Sequence, residues 1–378
     1  MKRSALLTGL LLVLLLTACG ASEPSEAEQS PADLIPSLTW QKPDALDAAT
    51  EFTLTRSGEG YVLLSIPGDG AAFLVVPEGQ PVPEDLPDTV TVLCRPISDI
   101  YLAGSATMDM LVKLDALGSV SYSALPADEW TIPEAKAAME SGGIVYAGKY
   151  SAPDYELICG GGCGLAIENT MIYHSPEIKE QLERFGVPVL VDQASRETTP
   201  LGRMEWIKLY GVLLDREAQA NAVYERQAQA IRALDAADTG KTAAFFYIAS
   251  NGEVKVRAPE DYIPQLIRQA GGTYVFDGLE TTSSLSTVTL QWESFYTSAK
   301  DADVLIYNST VTEALPDLDA LLAKNPLLAD FAAVQTGSVY CTKENFYQAS
   351  MELGDLASDL HAALVGETDH LIYLNPLE

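Results

Sequence analysis

From Val90 to the C-terminus, short apolar runs alternate with amphipathic stretches, and this alternation limits the fold more than any other feature. "DIYLAG" (Asp99–Gly104) precedes "TMDMLVKLDALG", in which Met108, Leu111, Val112 and Leu114 recur at helical spacing. "GIVYAG" (Gly143–Gly148) precedes a helix at "APDYELI", "LAIE" (Leu165–Glu168) precedes a helix at "SPEIKEQLERFG", and "VPVLVD" (Val187–Asp192) closes the set. Short buried strands separated by helices predict a parallel sheet covered on both faces.

The alternation stops once. Pro200 to Ala237 reads as one long helical segment with a candidate break near Asp215. Its first half is apolar nearly all round (Met204, Trp206, Ile207, Leu209, Tyr210, Val212, Leu213, Leu214), the mark of a helix buried on more than one side. Strands at "TAAFFYI", "TYVF", "ADVLIYN" and "GSVYCT" then alternate with helices at "EDYIPQLIRQAGG", "QWESFYTSAKD", "ALPDLDALLAKNPLLADF" and "ASMELGDLASDLHAALVG". The expectation is an α/β protein of two parallel-sheet lobes, 90–200 and 238–378, joined by a single long linking helix with its extension at 201–237. A chain of this size exceeds the usual single core, which also favours two lobes.

Ahead of the lobes, Phe52–Val76 shows three β-type runs separated by "SGEG" and "PGDG", tight turns that predict a small β-meander within 37–89. The first 18 residues combine Lys2 and Arg3 with an apolar run too short to span a membrane, and read as an export signal. "LTAC" ends that run as a lipobox, so Cys19 is the expected lipidation site. Residues 19–36 are rich in Ser, Pro, Ala and acid and read as a disordered tether. The mature protein is thus expected on the outer face of a bacterial membrane, or in a periplasm, anchored by lipid.

With 23 Lys and Arg against 53 Asp and Glu, the net charge of −30 argues against nucleic acid or an anionic membrane surface as a partner. Cys94, Cys159, Cys163 and Cys341 form no disulfide framework, and three scattered His offer no zinc site. There is no GxSxG elbow, P-loop, HExxH, or GxGxxG opening a helix after a strand. No enzymatic activity and no cofactor are expected.

"AIENTMIYHSPE" (Ala166–Glu177) gathers a carboxylate, an amide, a hydroxyl, a phenol and His174. It begins at the carboxyl edge of a strand, so Glu168 to Met171 are expected to face the cleft between the lobes. Ser175, Pro176 and Glu177 read as a helix N-cap and first turn, which places His174 beside a cap rather than in the role of a base. "YNST" (Tyr307–Thr310) is the expected counterpart across the cleft.

These segments resemble the solute-binding proteins of ABC importers for ferric siderophores, haem and cobalamin. The resemblance runs from about Val90 to the C-terminus and is carried by "RPISDIYLAGSATMDMLVKLDALGSV", "KYSAPDYELICGGGCGLAI", "FGVPVLVDQASRETTPLGRMEWIKLYGVLLDRE", "NGEVKVRAPEDYIPQLIRQAGGTYVF" and "WESFYTSAKDADVLIYN". It implies a class III periplasmic-binding-protein-like fold, a small-molecule ligand held without chemistry, and delivery to an ABC permease with its ATPase. It also implies one docking acid per lobe, matching Glu156 and Glu293. The β-meander falls outside the general family pattern, and a monomer is expected.

Pocket candidates are polar and aromatic residues at carboxyl ends of strands and around the start of the linking helix. In the first lobe these are Ser105, Thr107, Lys149, Tyr150, Asn169, Thr170, Met171, Arg196 and Arg203. In the second they are Tyr247, Ser250, Asn251, Arg257, Trp292, Asn308, Ser309, Lys343, Asn345 and Tyr347. Aromatic faces suit a corrin, porphyrin or catecholate, and Arg or Lys suits an anionic chelate. The leading expectation is a ferric-siderophore receptor, with a cobalamin or haem receptor as the alternative. A bare Mn or Zn receptor would need several converging His and carboxylates, and an exported hydrolase would need Glu168 or another acid paired with a base in a pocket.

Overall fold

The computed structural model describes residues 31–234, 238–281, 286–310 and 314–378. The expected signal peptide, Cys19 and the tether as far as residue 30 lie outside the described residues.

After a short helix α1 (Pro31–Leu34), strands β1 (Trp40–Pro43), β2 (Thr53–Ser57), β3 (Val62–Ile66) and β4 (Ala71–Val76) pair antiparallel in chain order. Strand β5 (Val90–Cys94) then adds parallel to β4. The expected meander is therefore the centre of a five-stranded sheet, and Val90–Cys94, assigned from sequence to the first lobe, pairs here instead. Burial on both faces of this sheet accounts for the difference. Val90 packs with Ile35, Tyr61, Leu63 and Leu74, while Leu93 belongs to the main core with Phe52, Leu64 and Phe73.

The first lobe contains β6 (Ile100–Leu102), α2 (Ser105–Lys113), β7 (Val120–Ser123), α3 (Pro133–Glu140) and β8 (Val145–Tyr146). A small hairpin of β9 (Gly148–Lys149) and β10 (Ala152–Pro153) leads to α4 (Tyr155–Gly160), β11 (Leu165–Asn169), α5 (Pro176–Arg184) and β12 (Val189–Asp192). The sheet order is β12-β11-β6-β7-β8, and every pair is parallel. The chain starts at β6, winds outward to β8 and returns on the other side at β11. The switch point therefore opens between the carboxyl ends of β6 and β11, where ligands bind in open α/β sheets.

The expected long helix breaks at the candidate position. Helix α6 (Pro200–Leu213) and helix α7 (Glu217–Leu234) are separated by a turn in which Asp215 takes a left-handed φ of 58°. The Thr199 hydroxyl caps α6 by accepting the Gly202 N–H, and Pro200 fills the first helical position. The two helices fold back on each other. The Lys208 ammonium sits 4.3 Å from the Tyr224 ring centroid, and a Cβ at Gly211 would lie 2.6 Å from Ala220 Cβ. Helix α6 touches α2 of the first lobe and, together with α7, α8 (Tyr262–Gln269) of the second.

The second lobe begins with β13 (Lys241–Ile248) and β14 (Val254–Arg257) before α8, and β15 (Gly272–Tyr274) follows it. Then come β16 (Thr287–Leu290), α9 (Trp292–Ala299), β17 (Val304–Tyr307), α10 (Leu318–Lys324), α11 (Ala332–Thr336), β18 (Val339–Thr342), α12 (Leu353–Val365) and β19 (Leu374–Pro376). The order is β16-β14-β13-β17-β18-β19, with β15 also on β13. The β15, β13, β17 and β18 core is parallel, whereas β14, β16 and β19 run antiparallel at the edges.

Candidate functional site

The interlobe cleft encloses a cavity of about 320 Å³. First-lobe residues reach it from the carboxyl ends of β6 (Gly104–Thr107), β11 (Asn169–Met171) and β12 (Asp192–Ser195), the loops that the switch point predicts. The second lobe supplies Tyr262 at the start of α8 and the Phe346–Leu353 segment that leads into α12. Met171 and Tyr347, both exposed, border the cavity from opposite lobes.

Two ionisable groups lie in its wall. Asp192 is buried and accepts hydrogen bonds from the Thr107 hydroxyl at 2.8 Å, the Ala194 N–H at 2.8 Å and the Tyr210 phenol on α6. Burial raises its pKa above the usual carboxylate range, and these bonds oppose that rise. Arg203 projects from the first turn of α6, its Nε donating to Glu197 O at 3.1 Å and its Nη2 to Ser195 O at 2.7 Å. Its guanidinium stacks 4.0 Å from the Tyr262 ring centroid, so one cation contacts both lobes. A compact ligand would meet a fixed guanidinium, aromatic faces, and hydroxyls and amides held by the loops.

The structure gathers seven of the candidates read from sequence at this cavity: Ser105, Thr107, Asn169, Thr170, Met171, Arg203 and Tyr347. The others lie elsewhere. Lys149 is exposed on β9, and Tyr150 packs against the core beneath α4. Arg196 is exposed over the Tyr173 ring. Ser250 and Asn251 form the β13–β14 turn, and Tyr247 and Arg257 lie on those strands. Trp292 packs edge-on against Phe295 and donates to Gly252 O. Asn308 and Ser309 are buried, bonded to Thr310 and to Thr342, so "YNST" closes the ends of β17 and β18 rather than facing the first lobe. Lys343 reaches Leu371 O, and the Asn345 side chain lies outside the described residues.

Glu168 is a correction. It is fully buried on the face of β11 that Ala166 shares, near Tyr101 and Tyr155, and not in the cleft. Period-two alternation along β11 turns it away. Among the described residues neither carboxylate oxygen has a hydrogen-bond partner, and burial pushes its pKa up to about 8. His174 is exposed, and Ser175 occupies the N-cap position of α5 without a side-chain cap bond. Glu156 and Glu293 are exposed in the first turns of α4 and α9. Cys94, Cys159, Cys163 and Cys341 are free thiols.

Asp192, Tyr262 and, apart from Tyr347, the Phe346–Leu353 segment are not among the candidates read from sequence. Asp192 closes "VPVLVD" and was legible as a strand-end acid, but Tyr262 opens a helix and carries no local mark of a site. The missed segment also seals one side of the cleft. Buried Gln348 accepts from the Thr131 N–H and hydroxyl at 2.8 and 2.7 Å and donates to Glu129 O at 2.9 Å. Ser350 donates to Ala106 O, and the Met351 N–H donates to Asp109.

Residues 105–346 match the family described as periplasmic binding protein. The uncharacterized lipoprotein MJ0878 of Methanocaldococcus jannaschii is 24% identical over 331 residues, 81% of this chain and 76% of that one. The periplasmic heme binding protein HutB of Vibrio cholerae superposes with a TM-score of 0.57 at 19% identity, covering 70% of this chain and 99% of that one. An ABC-type Fe3+-hydroxamate transport system protein of Saccharomonospora viridis superposes with a TM-score of 0.53 at 22% identity, over 71% and 93%. Two α/β lobes around a lined cleft and a family match over most of the chain agree: the protein belongs to the periplasmic binding protein family and is a solute-binding protein, not an enzyme.

Proposed function

We propose that this chain is the extracytoplasmic receptor of an ABC importer, tethered through a lipidated Cys19, and that it captures a compact ferric siderophore in the interlobe cleft. The observation that carries this reading is the cavity of about 320 Å³ between the lobes, with Arg203 stacked on Tyr262 in its wall. That volume lies near the lower end of the ~300–1,000 Å³ typical of small-molecule sites, and a planar guanidinium suits the oxygens of an anionic chelate. The exposed Glu156 and Glu293, one on each lobe, stand as the acids that dock on permease arginines. The three aromatic rings of Tyr262, Phe346 and Tyr347 favour haem or a corrinoid as the second reading.

The test is retention of colour. Purified chain mixed separately with a ferric trihydroxamate, a ferric tricatecholate, haemin and cyanocobalamin is passed through gel filtration. Co-elution of a ferric chelate is the expected result, and co-elution of haemin or cyanocobalamin alone moves the reading to the second ligand class. Retention of none, with tight binding of Zn or Mn, overturns both.

A further inference from the structure

The N-terminal sheet has no role in that reading, and the two solved structures named above, covered to 99% and 93%, align with only 70% and 71% of this chain. The sheet packs on α6 and α7 through Glu205, Glu217 and Arg232, and two of its segments also reach one loop at the cleft. Gln193–Glu197 supplies Ala194 and Ser195 to the cavity wall, and its Ser195 and Glu197 carbonyls hold the Arg203 guanidinium.

Two parts of the N-terminal sheet grip this loop. Residues 47–51, between β1 and β2, direct backbone N–H groups at two buried carboxylates of the linking region. Glu197 accepts from the Thr50 N–H at 2.9 Å and the Glu51 N–H at 3.0 Å, with the Thr50 hydroxyl and the Trp206 indole as further donors. Glu205 accepts from the N–H groups of Asp47, Ala48 and Ala49 at 2.7, 2.7 and 2.9 Å. The second grip is the β3–β4 turn, Pro67–Gly70. Buried Gln193 donates to the Tyr173 hydroxyl at 2.8 Å, and that hydroxyl donates to Asp69 at 3.0 Å. Lys179 stands 3.3 Å from the other Asp69 oxygen. The turn is pressed so closely on the loop that a Cβ at Gly68 would lie 2.4 Å from the Gln193 side-chain oxygen. Through Tyr173 the same chain of bonds reaches the segment after β11 that carries Thr170 and Met171 into the cavity.

We infer that the N-terminal sheet is a working part of the ligand site. Residues 47–51 and the Pro67–Gly70 turn fix the Gln193–Glu197 loop and, through its carbonyls, the cleft-facing guanidinium of Arg203. Asp69 is a positioning residue, acting through Tyr173 and Gln193 without touching ligand. Charge-assisted bonds to buried donors are the strong ones, so losing one loosens what it orients.

Amide hydrogen exchange on the detergent-purified full chain tests this. The Asp69→Leu variant is expected to exchange roughly tenfold faster at residues 193–197 and at the Arg203 Nε–H, the change in local opening for one lost charge-assisted bond. Exchange in α12 stays unchanged, and Asp69→Asn, which keeps an acceptor for Tyr173 without the charge, restores most of the wild-type protection at 193–197. Should Asp69→Leu fail to fold, Tyr173→Phe removes the same link and is read the same way. Unchanged exchange at 193–197, or an increase confined to residues 67–70, overturns the inference. The inference rests on the cleft being the ligand site, but exchange is read without ligand, so its failure and that of the colour assay are separate results.

Discussion

Replacing Asp109 by Asn is expected to stabilise the protein at neutral pH, although it removes a charge that lies on the lobe–lobe seam. Asp109 sits on α2, buried, and accepts the Met351 N–H of the second lobe at 2.7 Å. The charges around it are Lys113 at 4.0 Å, itself paired with Glu352, and Glu134. Burial outweighs the Met351 bond and Lys113 and pushes its pKa up to about 6 from an ordinary 3.8. A folded-state pKa above the unfolded one means that its contribution to stability is fully present below pH ~3.8 and lost as pH rises through about 6. At 1.36 kcal/mol per pH unit, the two values give a cost of about 3 kcal/mol at pH 7 and about 1 kcal/mol at pH 4.5. Asn keeps an acceptor for the Met351 N–H and escapes that cost. Urea unfolding of both proteins should therefore show Asp109→Asn ahead by about 3 kcal/mol at pH 7, with the advantage shrinking toward zero near pH 3. An Asn variant less stable than wild type at pH 7, or a difference that does not change with pH, refutes the reasoning.

Three further outcomes follow from the same contacts. Gln348→Leu strands the Thr131 N–H and hydroxyl inside the seam; it should cost about 1–3 kcal/mol per stranded group, and small-angle scattering should show a more open molecule. Arg203→Ala removes the guanidinium from Tyr262 and should weaken a retained ferric trihydroxamate roughly 10- to 100-fold in a fluorescence titration, the worth of a charged hydrogen bond. A thiol reagent should label the exposed Cys94 first, and reach Cys341 and Cys163 only on unfolding, because both are buried and burial pushes the Cys163 thiol up to about 11.

The lobes were legible because their signals are local. Apolar runs such as "LAIE" and "VPVLVD" declare strands by composition, and the left-handed turn at Asp215 falls at the candidate break in the linking helix. The folding of α7 back on α6 was not legible, since it depends on Gly211 meeting Ala220 and Lys208 meeting Tyr224. The site divided along the same line. First-lobe residues directly after β6 and β11 were found, because a strand end in a parallel sheet points to the ligand side. The second-lobe wall was misplaced apart from Tyr347: its cleft contacts come from the head of α8 and from Phe346–Leu353, and not from the end of β17. Which strand end meets the other lobe is set by lobe orientation, which no stretch of sequence encodes alone.

The acidic composition has a structural consequence that joins these features. With 53 carboxylates for 23 Lys and Arg, most acids cannot find a cation, and a buried acid needs a partner or must be neutral. Here the partner is repeatedly a run of backbone N–H groups. Glu205 takes three from Asp47–Ala49 beside an ion pair to Lys208 at 2.6 Å, Glu197 takes two from Thr50 and Glu51, and Asp359 three from Ile372, Tyr373 and Leu374. Each of these acids pins a distant segment whose own donors would otherwise be unsatisfied, so the bond serves both groups at once. Segments 47–51 and 372–374 are donor-rich because they lie in or beside irregular chain, where no strand or helix has claimed those N–H groups. Glu168 marks the limit of the scheme. It stands opposite Val191 in the parallel ladder of β11 and β12, where the neighbouring N–H groups are already engaged, and among the described residues no cation approaches it. Neutralisation is the remaining solution, and with its pKa pushed up to about 8 Glu168 is mostly protonated at pH 7.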